Sequence, residues 1–343
     1  MNVSAQTTAA RVMDIRAEGK DILALELGRV DGLPWGAYEP GAHLDLHLPN
    51  GMVRSYSLCG PWAPGARPER YRIAVGKSAA SRGGSAYVHE RLRVGDVLPV
   101  GAPRNHFALD DSTAPVVLVA GGIGITPLLA MARQCAALGR DWTLHYCVRT
   151  PAHAAFLDEL WALPGALERV LLWQSAGRGR RFDAATVLRG AGSSAPLGAP
   201  ATALAGLTAD SHVYCCGSPS LMAAVERAIA WLPDSQRHFE RFVAAASADA
   251  EQEVSQSFIV HLAQSKKQVH VPAGRSVLEC LESEGVSVPF ACREGLCGSC
   301  ETAVLDGEVD HRDCVLSQAD RAANQKMMVC VSRAARGHLT LNL

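Results

Sequence analysis

The sequence predicts a multidomain protein in which an antiparallel β-barrel, an α/β domain with a parallel sheet and a C-terminal α+β domain follow one another. Alternating apolar and polar stretches between Pro and Gly turns predict the first, and strands alternating with helical stretches predict the second. A cysteine-rich loop marks the third. We place the domains at 1–112, 113–243 and 257–343, with a linker at 244–256 rich in Ala, Ser and acidic residues. A length of 343 residues suits about two or three domains.

Composition excludes several classes of protein. The 33 Lys and Arg residues against 34 Asp and Glu give a net charge of -1, so the chain has no global basic field for nucleic acid. Its apolar runs are far shorter than the about 20 residues that span a bilayer, so no membrane partner is expected. No basic segment followed by an apolar stretch opens the chain, so we predict no secretory signal and expect a cytoplasmic location.

The barrel prediction rests on strands at 22–27, 42–48 and 71–75, where side chains alternate between apolar and polar. Pro40-Gly41 and Pro49-Asn50-Gly51 are strong turn signals near them. Short alternating strands with Pro and Gly between them are typical of an antiparallel barrel or sandwich.

The middle domain changes character at residue 116. The strand at 116–120 is apolar throughout, which predicts burial on both faces. The other predicted elements are helices at 128–138 and 155–162 and strands at 142–148, 168–173 and 212–216. Strands alternating with helices predict a parallel sheet with helices on both faces.

The C-terminal domain opens with a predicted hairpin, formed by 257–262 and 268–271. A short helix at 276–284 follows. Ser276 is its predicted N-cap and Glu279 stands three residues later, which together form a capping box. The cysteine loop comes directly after this helix.

The strongest motif is C-x4-C-x2-C, with a fourth cysteine after a gap of 29 residues. This is the spacing of plant-type [2Fe–2S] proteins. The four candidate ligands are Cys292, Cys297, Cys300 and Cys330. Tetrahedral zinc is the alternative, but zinc sites favour paired knuckles over three ligands in one loop.

Cys314 competes with Cys330 as the fourth ligand. We favour Cys330 because the apolar stretch at 327–331 can shield a cluster from water. Cys314 instead follows a polar run at 311–313, which we expect to be exposed. The remaining cysteines are scattered, and we expect inert buried thiols.

A glycine-rich turn joins the buried strand at 116–120 to the next helix. Its residues are Gly121, Gly122, Gly124, Thr126 and Pro127. Glycines let a pyrophosphate approach the backbone and the helix N-terminus, where free N–H groups favour negative charge. The turn lacks the G-x-G-x-x-G fingerprint, so a purely structural strand–helix turn is the alternative.

A second turn, Cys216-Gly217-Ser218-Pro219, follows the strand at 212–216. Ligands of open α/β sheets bind at the carboxyl ends of the strands, so this turn can face the same ligand as the first. The alternative is a helix-initiating turn that Ser218 caps.

Two further motifs lie in the barrel domain. In Arg54-Ser55-Tyr56-Ser57, alternation places Arg54 and Tyr56 on one strand face, where a Tyr ring can lie on a flat heterocycle. A core tyrosine is the alternative. The second motif, Arg82-Gly83-Gly84-Ser85, precedes a helical stretch and is a plausible phosphate cradle.

In this order the motifs resemble the phthalate dioxygenase reductase family, which includes the reductases of vanillate demethylases and related Rieske oxygenases. It belongs to the ferredoxin–NADP reductase superfamily. The resemblance covers nearly the whole chain and implies a flavin-binding β-barrel, a nicotinamide-binding α/β domain and a β-grasp ferredoxin domain.

The resemblance also implies roles in flavin binding. Arg54, Tyr56 and Ser57 would hold the flavin, with Tyr56 against the isoalloxazine ring. Three residues, Ala74, Val75 and Lys77, would line its edge. The terminal phosphate of FMN would lie on Arg82, Gly83, Gly84 and Ser85.

For the nicotinamide, the resemblance implies that the turn at 121–127 binds the nucleotide, with Thr126 and Pro127 near the ring. The turn at 216–219 would lie across from the hydride-transfer position. Relatives tend to have Cys-Gly-Pro there, whereas this chain inserts Ser218, which leaves the local placement open. The segment at 238–242 would return to the flavin. Cys216, Thr126 and Phe242 are the catalytic candidates.

Together these roles imply a reductase that passes electrons from NADH through FMN and a [2Fe–2S] cluster to a Rieske-type oxygenase. A flavin must stand between the nicotinamide and the cluster, because nicotinamide gives two electrons at once and the cluster takes one. The alternatives are FAD, NADPH or another acceptor, or a ferredoxin-like carrier or sensor module. Arg149 or the arginine run at 178–181 would be the 2′-phosphate site if the donor were NADPH.

Overall fold

A computed structural model describes residues 7–78, 81, 83–176, 181–189, 206–242 and 256–343. These residues form two compact units. The first unit is Thr7–Glu240, and the second unit runs from Arg241 to Leu343. The predicted boundary at 112/113 lies inside the first unit, between two sheets. The three-domain division with its linker stays a prediction, and most of 244–256 lies outside the described residues.

A closed antiparallel barrel forms the N-terminal part of the first unit. Its six strands follow the order β4-β3-β6-β1-β2-β5, and a bridge between Leu58 and Ile73 closes it. The elements are β1 Thr7–Ala17, β2 Ile22–Arg29, β3 His43–His47, β4 Val53–Ser57, β5 Arg70–Gly76, α1 Gly84–Glu90 and β6 Val97–Gly101. The predicted barrel is confirmed. The alternation of apolar and polar residues did not indicate strand β1, because its exposed positions carry Thr and Arg and it has few apolar residues.

A parallel five-stranded sheet, β11-β10-β7-β8-β9, forms the rest of the first unit. Its strands are β7 Val116–Gly121, β8 Trp142–Val148, β9 Val170–Gln174, β10 His212–Cys216 and β11 Arg237–Glu240. The helices are α2 Ile125–Ala137, α3 Leu157–Trp161, α4 Ala166–Arg169, α5 Ala184–Leu188 and α6 Pro219–Ala228. Leu118 of β7 packs into one core cluster and Val119 into another, as expected for a strand buried on both faces.

Element boundaries in this sheet differ from the prediction in two places. Helix α2 begins at Ile125 rather than at residue 128, because a proline such as Pro127 is tolerated in the first helical turn. Glu168 ends up in α4 rather than in strand β9. Strand β11 was not predicted, and its four residues alternate too briefly to give a signal.

The second unit is an α+β domain around a five-stranded sheet, β13-β12-β18-β14-β16. Its elements are β12 Phe258–Leu262, β13 Lys267–Val271, α7 Val277–Ser283, β14 Glu301–Asp306, β15 Val309–Asp310, α8 Gln318–Ala323, β16 Lys326–Met328, β17 Arg333–Ala334 and β18 His338–Leu341. The hairpin is confirmed. So is the capping box, in which Ser276 and Glu279 exchange hydrogen bonds at the start of α7. Within the described part of the chain, none of the helices combines the length and apolar character of a membrane span.

Candidate cofactor sites

Strand β4 presents its two faces to different surroundings. Ser55 lies on one face opposite Asp45 of β3, and its hydroxyl donates to Asp45 Oδ1 at 2.7 Å. Arg104 Nη2 donates to the other oxygen of Asp45, also at 2.7 Å. Tyr56 lies on the opposite face, and burial raises its pKa to about 12. Tyr56 packs against the apolar core of the barrel, as the core-tyrosine alternative expects.

In the loop before α1, several hydrogen-bond donors surround the side-chain oxygen of Ser81. Ser81 Oγ accepts hydrogen bonds from the N–H groups of Gly83 and Ala86, both at 3.2 Å, and from Ser85 Oγ at 3.0 Å. Arg54 lies beside them, since a Cβ on Gly84 would be 2.8 Å from Arg54 Cγ. These donors belong to the predicted phosphate cradle, whose role stays a prediction. Arg82 lies outside the described residues.

The three residues predicted to line the flavin edge lie near the end of β5, each in a different environment. Ala74 packs with the core of the parallel sheet, whereas Val75 packs inside the barrel. Lys77 is exposed and pairs with Glu90 at 3.6 Å. Between them, Gly76 touches the glycine-rich turn, because a Cβ there would be 3.4 Å from Ile123 Cβ. The end of β5 therefore reaches the nucleotide turn.

The two turns at the carboxyl ends of β7 and β10 lie against each other. A Cβ on Gly124 would be 2.2 Å from the carbonyl oxygen of Cys216, and one on Gly121 would be 3.1 Å from Gly217 Cα. Gly122 differs, because nothing lies within 4 Å and its φ is +53°. Close backbone approach between the turns therefore requires Gly121 and Gly124, which adds a reason for these glycines that the sequence did not supply.

The hydroxyl groups at the two turns form hydrogen bonds with backbone groups three residues away. Thr126 is 2% exposed, and its hydroxyl donates to the carbonyl of Ile123 at 3.0 Å. Ser218 Oγ accepts from the N–H of Leu221 at 3.3 Å, so the helix-initiating interpretation of this turn is confirmed. Pro127 is buried in the first turn of α2, and Pro219 is the first residue of α6.

Cys216 meets a carboxyl group that sequence reasoning did not single out. Register places Glu240 of β11 opposite Cys216 of β10, and Ser57 Oγ of the barrel donates to Glu240 Oε2 at 3.3 Å. Burial, and secondarily the charge of Glu240, raises the pKa of Cys216 well above the usual thiol range. Burial also raises the pKa of Glu240 to about 8, although the Ser57 hydrogen bond opposes the shift. Burial thus favours the protonated form of both groups.

The structure describes the remaining predicted binding and catalytic residues only in part. Arg149 is exposed just beyond β8, and its carbonyl accepts from the N–H of Ala176 at 3.0 Å. Of the arginine run, residues 178–180 lie outside the described residues and Arg181 is exposed. Phe242 is 37% exposed and belongs to the second unit. Their predicted roles remain predictions.

The four candidate ligand cysteines converge in two pairs. Hydrogen bonding from Cys292 lowers the pKa of Cys297, and hydrogen bonding from Cys300 lowers the pKa of Cys330. The N–H groups of Glu294 and Leu296 point at Cys292 Sγ, at 3.3 and 3.5 Å. Among the described residues, no three His, Cys, Asp or Glu side chains surround one metal position. Two thiol pairs suit two irons that take two thiolates each.

Cys314 contacts the same loop through its backbone, since its N–H donates to the Gly295 carbonyl at 2.9 Å. The expectation of an exposed run before it is wrong for Asp313, which is 3% exposed. Its carboxylate is buried because it accepts the N–H groups of Val315 and Leu316, at 3.0 and 2.8 Å. Such a turn is a common use of aspartate that a polar run does not reveal.

Comparison with known proteins agrees with this geometry. Residues 118–227 match an oxidoreductase NAD-binding domain, and residues 260–335 match a 2Fe-2S iron-sulfur cluster binding domain. Phthalate dioxygenase reductase of Burkholderia cepacia is 38% identical over 94% of this chain and 94% of that protein. The chain belongs to the phthalate dioxygenase reductase family. It is therefore an oxidoreductase with a [2Fe–2S] domain and a NAD-binding domain.

Other relatives are named as parts of a dioxygenase and a demethylase system. Phenoxybenzoate dioxygenase subunit beta of Ectopseudomonas oleovorans is 41% identical over 97% of this chain and 92% of that protein. Vanillate O-demethylase oxidoreductase of Pseudomonas sp. (strain HR199 / DSM 7063) is 38% identical over 96% of this chain and 98% of that protein.

Two solved structures extend the comparison. The phthalate dioxygenase reductase structure superposes with a TM-score of 0.65 at 37% identity and covers 98% of both chains. An intact type IV self-sufficient cytochrome P450 monooxygenase superposes with a TM-score of 0.85 at 36% identity. The superposition covers 98% of this chain but only 41% of that P450 chain.

Proposed function

We propose that this protein is an NADH-dependent reductase that passes electrons through FMN and a [2Fe–2S] cluster to a separate Rieske-type oxygenase. The junction of Ser57, Glu240 and Cys216 carries the proposal, because there the predicted flavin strand β4 meets the carboxyl ends of β10 and β11. Bound between the two turns and β4, a flavin would take two electrons from nicotinamide and release them singly to the cluster.

The chain's own side chains would then bind and orient rather than act as an acid–base triad. Arg54, Ser85 and the N–H groups of Gly83 and Ala86 would hold the phosphate. Tyr56 would lie against the ring. Neutral Glu240 can donate a hydrogen bond at the junction near pH 7, since burial raises its pKa to about 8.

The released flavin is expected to be FMN. The donors that converge on Ser81 Oγ suit a terminal phosphate monoester. Denaturing the protein and chromatographing the cofactor tests this, and recovery of mainly FAD would contradict it. Ser85→Ala, which removes one donor, is expected to weaken FMN binding by roughly tenfold. Ser78→Ala changes an exposed side chain beside the cradle and is the matched control.

NADH is expected to be the preferred electron donor. A 2′-phosphate needs arginines that reach the adenosine ribose, whereas Arg149 alone could serve either nucleotide, and the family resemblance favours NADH. Steady-state cytochrome c reduction gives kcat/KM for both nucleotides, and rapid NADH-dependent reduction also separates the reductase from a passive carrier or sensor module. A kcat/KM for NADPH equal to or above that for NADH would instead make Arg149 or the run at 178–181 the 2′-phosphate site.

The electron acceptor has two candidates. The names of the dioxygenase and demethylase relatives favour an oxygenase, which we propose to be of the Rieske type, whereas the P450 superposition favours a haem protein. Anaerobic mixing of NADH-reduced protein with a purified Rieske-type oxygenase is expected to bleach the Rieske absorption. The same protein mixed with a purified bacterial P450 under carbon monoxide is expected to form the ferrous–CO band at least tenfold more slowly. The reverse order would favour the P450.

A further inference from the structure

An ion cluster built on two buried arginines joins the barrel to the parallel sheet. Glu159 of α3 accepts from Arg72 of β5 through both carboxylate oxygens, at 2.7 Å each, and Arg133 of α2 donates to the same carboxylate. The Arg72 side chain is 4% exposed and that of Arg133 is 12% exposed, whereas the Glu159 side chain, which pairs with both, is 33% exposed. Arg16 and Glu26 complete the cluster, with Arg16 3.6 Å from Glu159 and Glu26 3.8 Å from Arg72.

Both buried arginines also bind the barrel backbone. Arg133 Nη1 donates to the carbonyl oxygens of Cys59 and Gly60, at 2.8 and 2.6 Å. Arg72 Nη2 donates to the Cys59 carbonyl at 3.0 Å. Arg133 thus reaches from the nucleotide half of the first unit into the barrel, and Glu159 holds it beside Arg72.

These contacts connect the two elements between which NADH and the flavin would meet. Cys59 follows β4 by two residues, and Arg72 precedes the Ala74–Gly76 edge on β5. Arg133 stands seven residues after Thr126 on α2, about two helical turns from the glycine-rich turn. A shift of α2 relative to β4 and β5 would therefore break hydrogen bonds to Cys59, Gly60 or Glu159.

The chemistry of the cluster favours one fixed geometry. Burial alone would raise the pKa of Glu159, but hydrogen bonding and charge from Arg72, with the charge of Arg133, lower it, so the carboxylate is ionised. A bidentate arginine–carboxylate pair is directional, and a buried arginine that loses its partner is left as an unpaired charge. The pairing thus resists sliding of one half against the other.

We propose that Glu159 is a positioning residue that sets the approach of the nicotinamide turn to the flavin strands, and with it the rate at which NADH reduces the flavin. In that step NADH loses one hydrogen nucleus and two electrons to become NAD+, and the flavin gains them. Rates of such transfers fall by about 10²-fold for a displacement of about 1 Å. The inference rests on the proposed function.

The test is Glu159→Gln in the full-length protein with its cofactors. Anaerobic stopped-flow mixing with saturating NADH is expected to show flavin reduction at least tenfold slower than wild type, with a larger isotope effect for C4-deuterated NADH. Flavin content, the cluster EPR signal and the dissociation constant of NADH are expected to stay within twofold. Asp158→Asn, an exposed neighbour on α3, is the matched control and should keep the wild-type rate.

A flavin-reduction rate within twofold of wild type in the Glu159→Gln holoprotein would overturn the inference. So would a slower rate that is matched by a proportional loss of bound flavin. Should Glu159→Gln not yield folded holoprotein, Arg133→Lys replaces it. It keeps the charge but loses the fork, in which Nη1 binds the Cys59 and Gly60 carbonyls and Nη2 binds Glu159. An unchanged rate in Arg133→Lys would then refute the inference. A wild-type protein that lacks flavin, or whose flavin NADH does not reduce, would instead refute the proposed function.

Discussion

Replacing Cys330 with Ser is expected to abolish the visible iron–sulfur absorption while the flavin spectrum remains. Cys330 interacts with Cys300 and Cys292 with Cys297, so on the predicted ligand assignment the change would remove one of the four thiolates that hold the cluster. A thiolate is the ligand that iron–sulfur clusters use, and a serine hydroxyl is a poor substitute. Absorption spectra, iron content and EPR of the reduced protein measure the loss.

Cys314→Ser is the matched control, since Cys314 is near the same loop. Its contact to that loop is the backbone hydrogen bond to Gly295, which the substitution leaves in place. Absorption and iron content of this variant should equal those of the wild type. A Cys314 variant that lost its cluster while the Cys330 variant kept it would show that the fourth ligand is misassigned.

The iron–sulfur spacing could be read from sequence because its ligands lie mostly in one loop, where chain connectivity alone brings them together. The Cys216 turn was likewise predictable as the end of a buried strand. Glu240 was not, although its segment was noticed. The place of Glu240 in the site depends on the register of β11 against β10 and on Ser57, which is 183 residues from Glu240 in the sequence. Non-local pairing of this kind leaves no periodic signal in a single sequence.

The Glu159 cluster was hidden for the same reason. Residues 158 and 159 look like an ordinary acidic first helical turn, and Arg72 looks like the polar partner in an alternating strand. Only the packing of α3 against the barrel turns Arg72 inward, where the structure leaves its residue 3% exposed. A buried arginine in a strand is rare without a partner, so the partner had to be found in three dimensions.

Gly124→Ala is expected to be the most damaging single substitution in the nucleotide turn. The added Cβ would lie 2.2 Å from the carbonyl oxygen and 2.5 Å from the carbonyl carbon of Cys216. Both atoms are backbone, so no flexible side chain can move aside, and the two turns must separate. We expect a loss of about 1–3 kcal/mol in stability. A displacement of about 1 Å at the junction should slow flavin reduction by about 10²-fold.

Gly122→Ala is the control that separates contact from conformation in this prediction. Gly122 has a φ of +53°, which non-glycine residues rarely adopt, but nothing lies within 4 Å of an added Cβ. Gly124 has an ordinary φ of -62°. If left-handed backbone were the main requirement, Gly122→Ala would be the worse variant, whereas it should cost only about 1–2 kcal/mol and leave the turns in contact. Thermal unfolding and stopped-flow flavin reduction of the two variants decide between these causes, and a Gly124→Ala protein as fast and stable as Gly122→Ala would mean that the turns do not touch in solution.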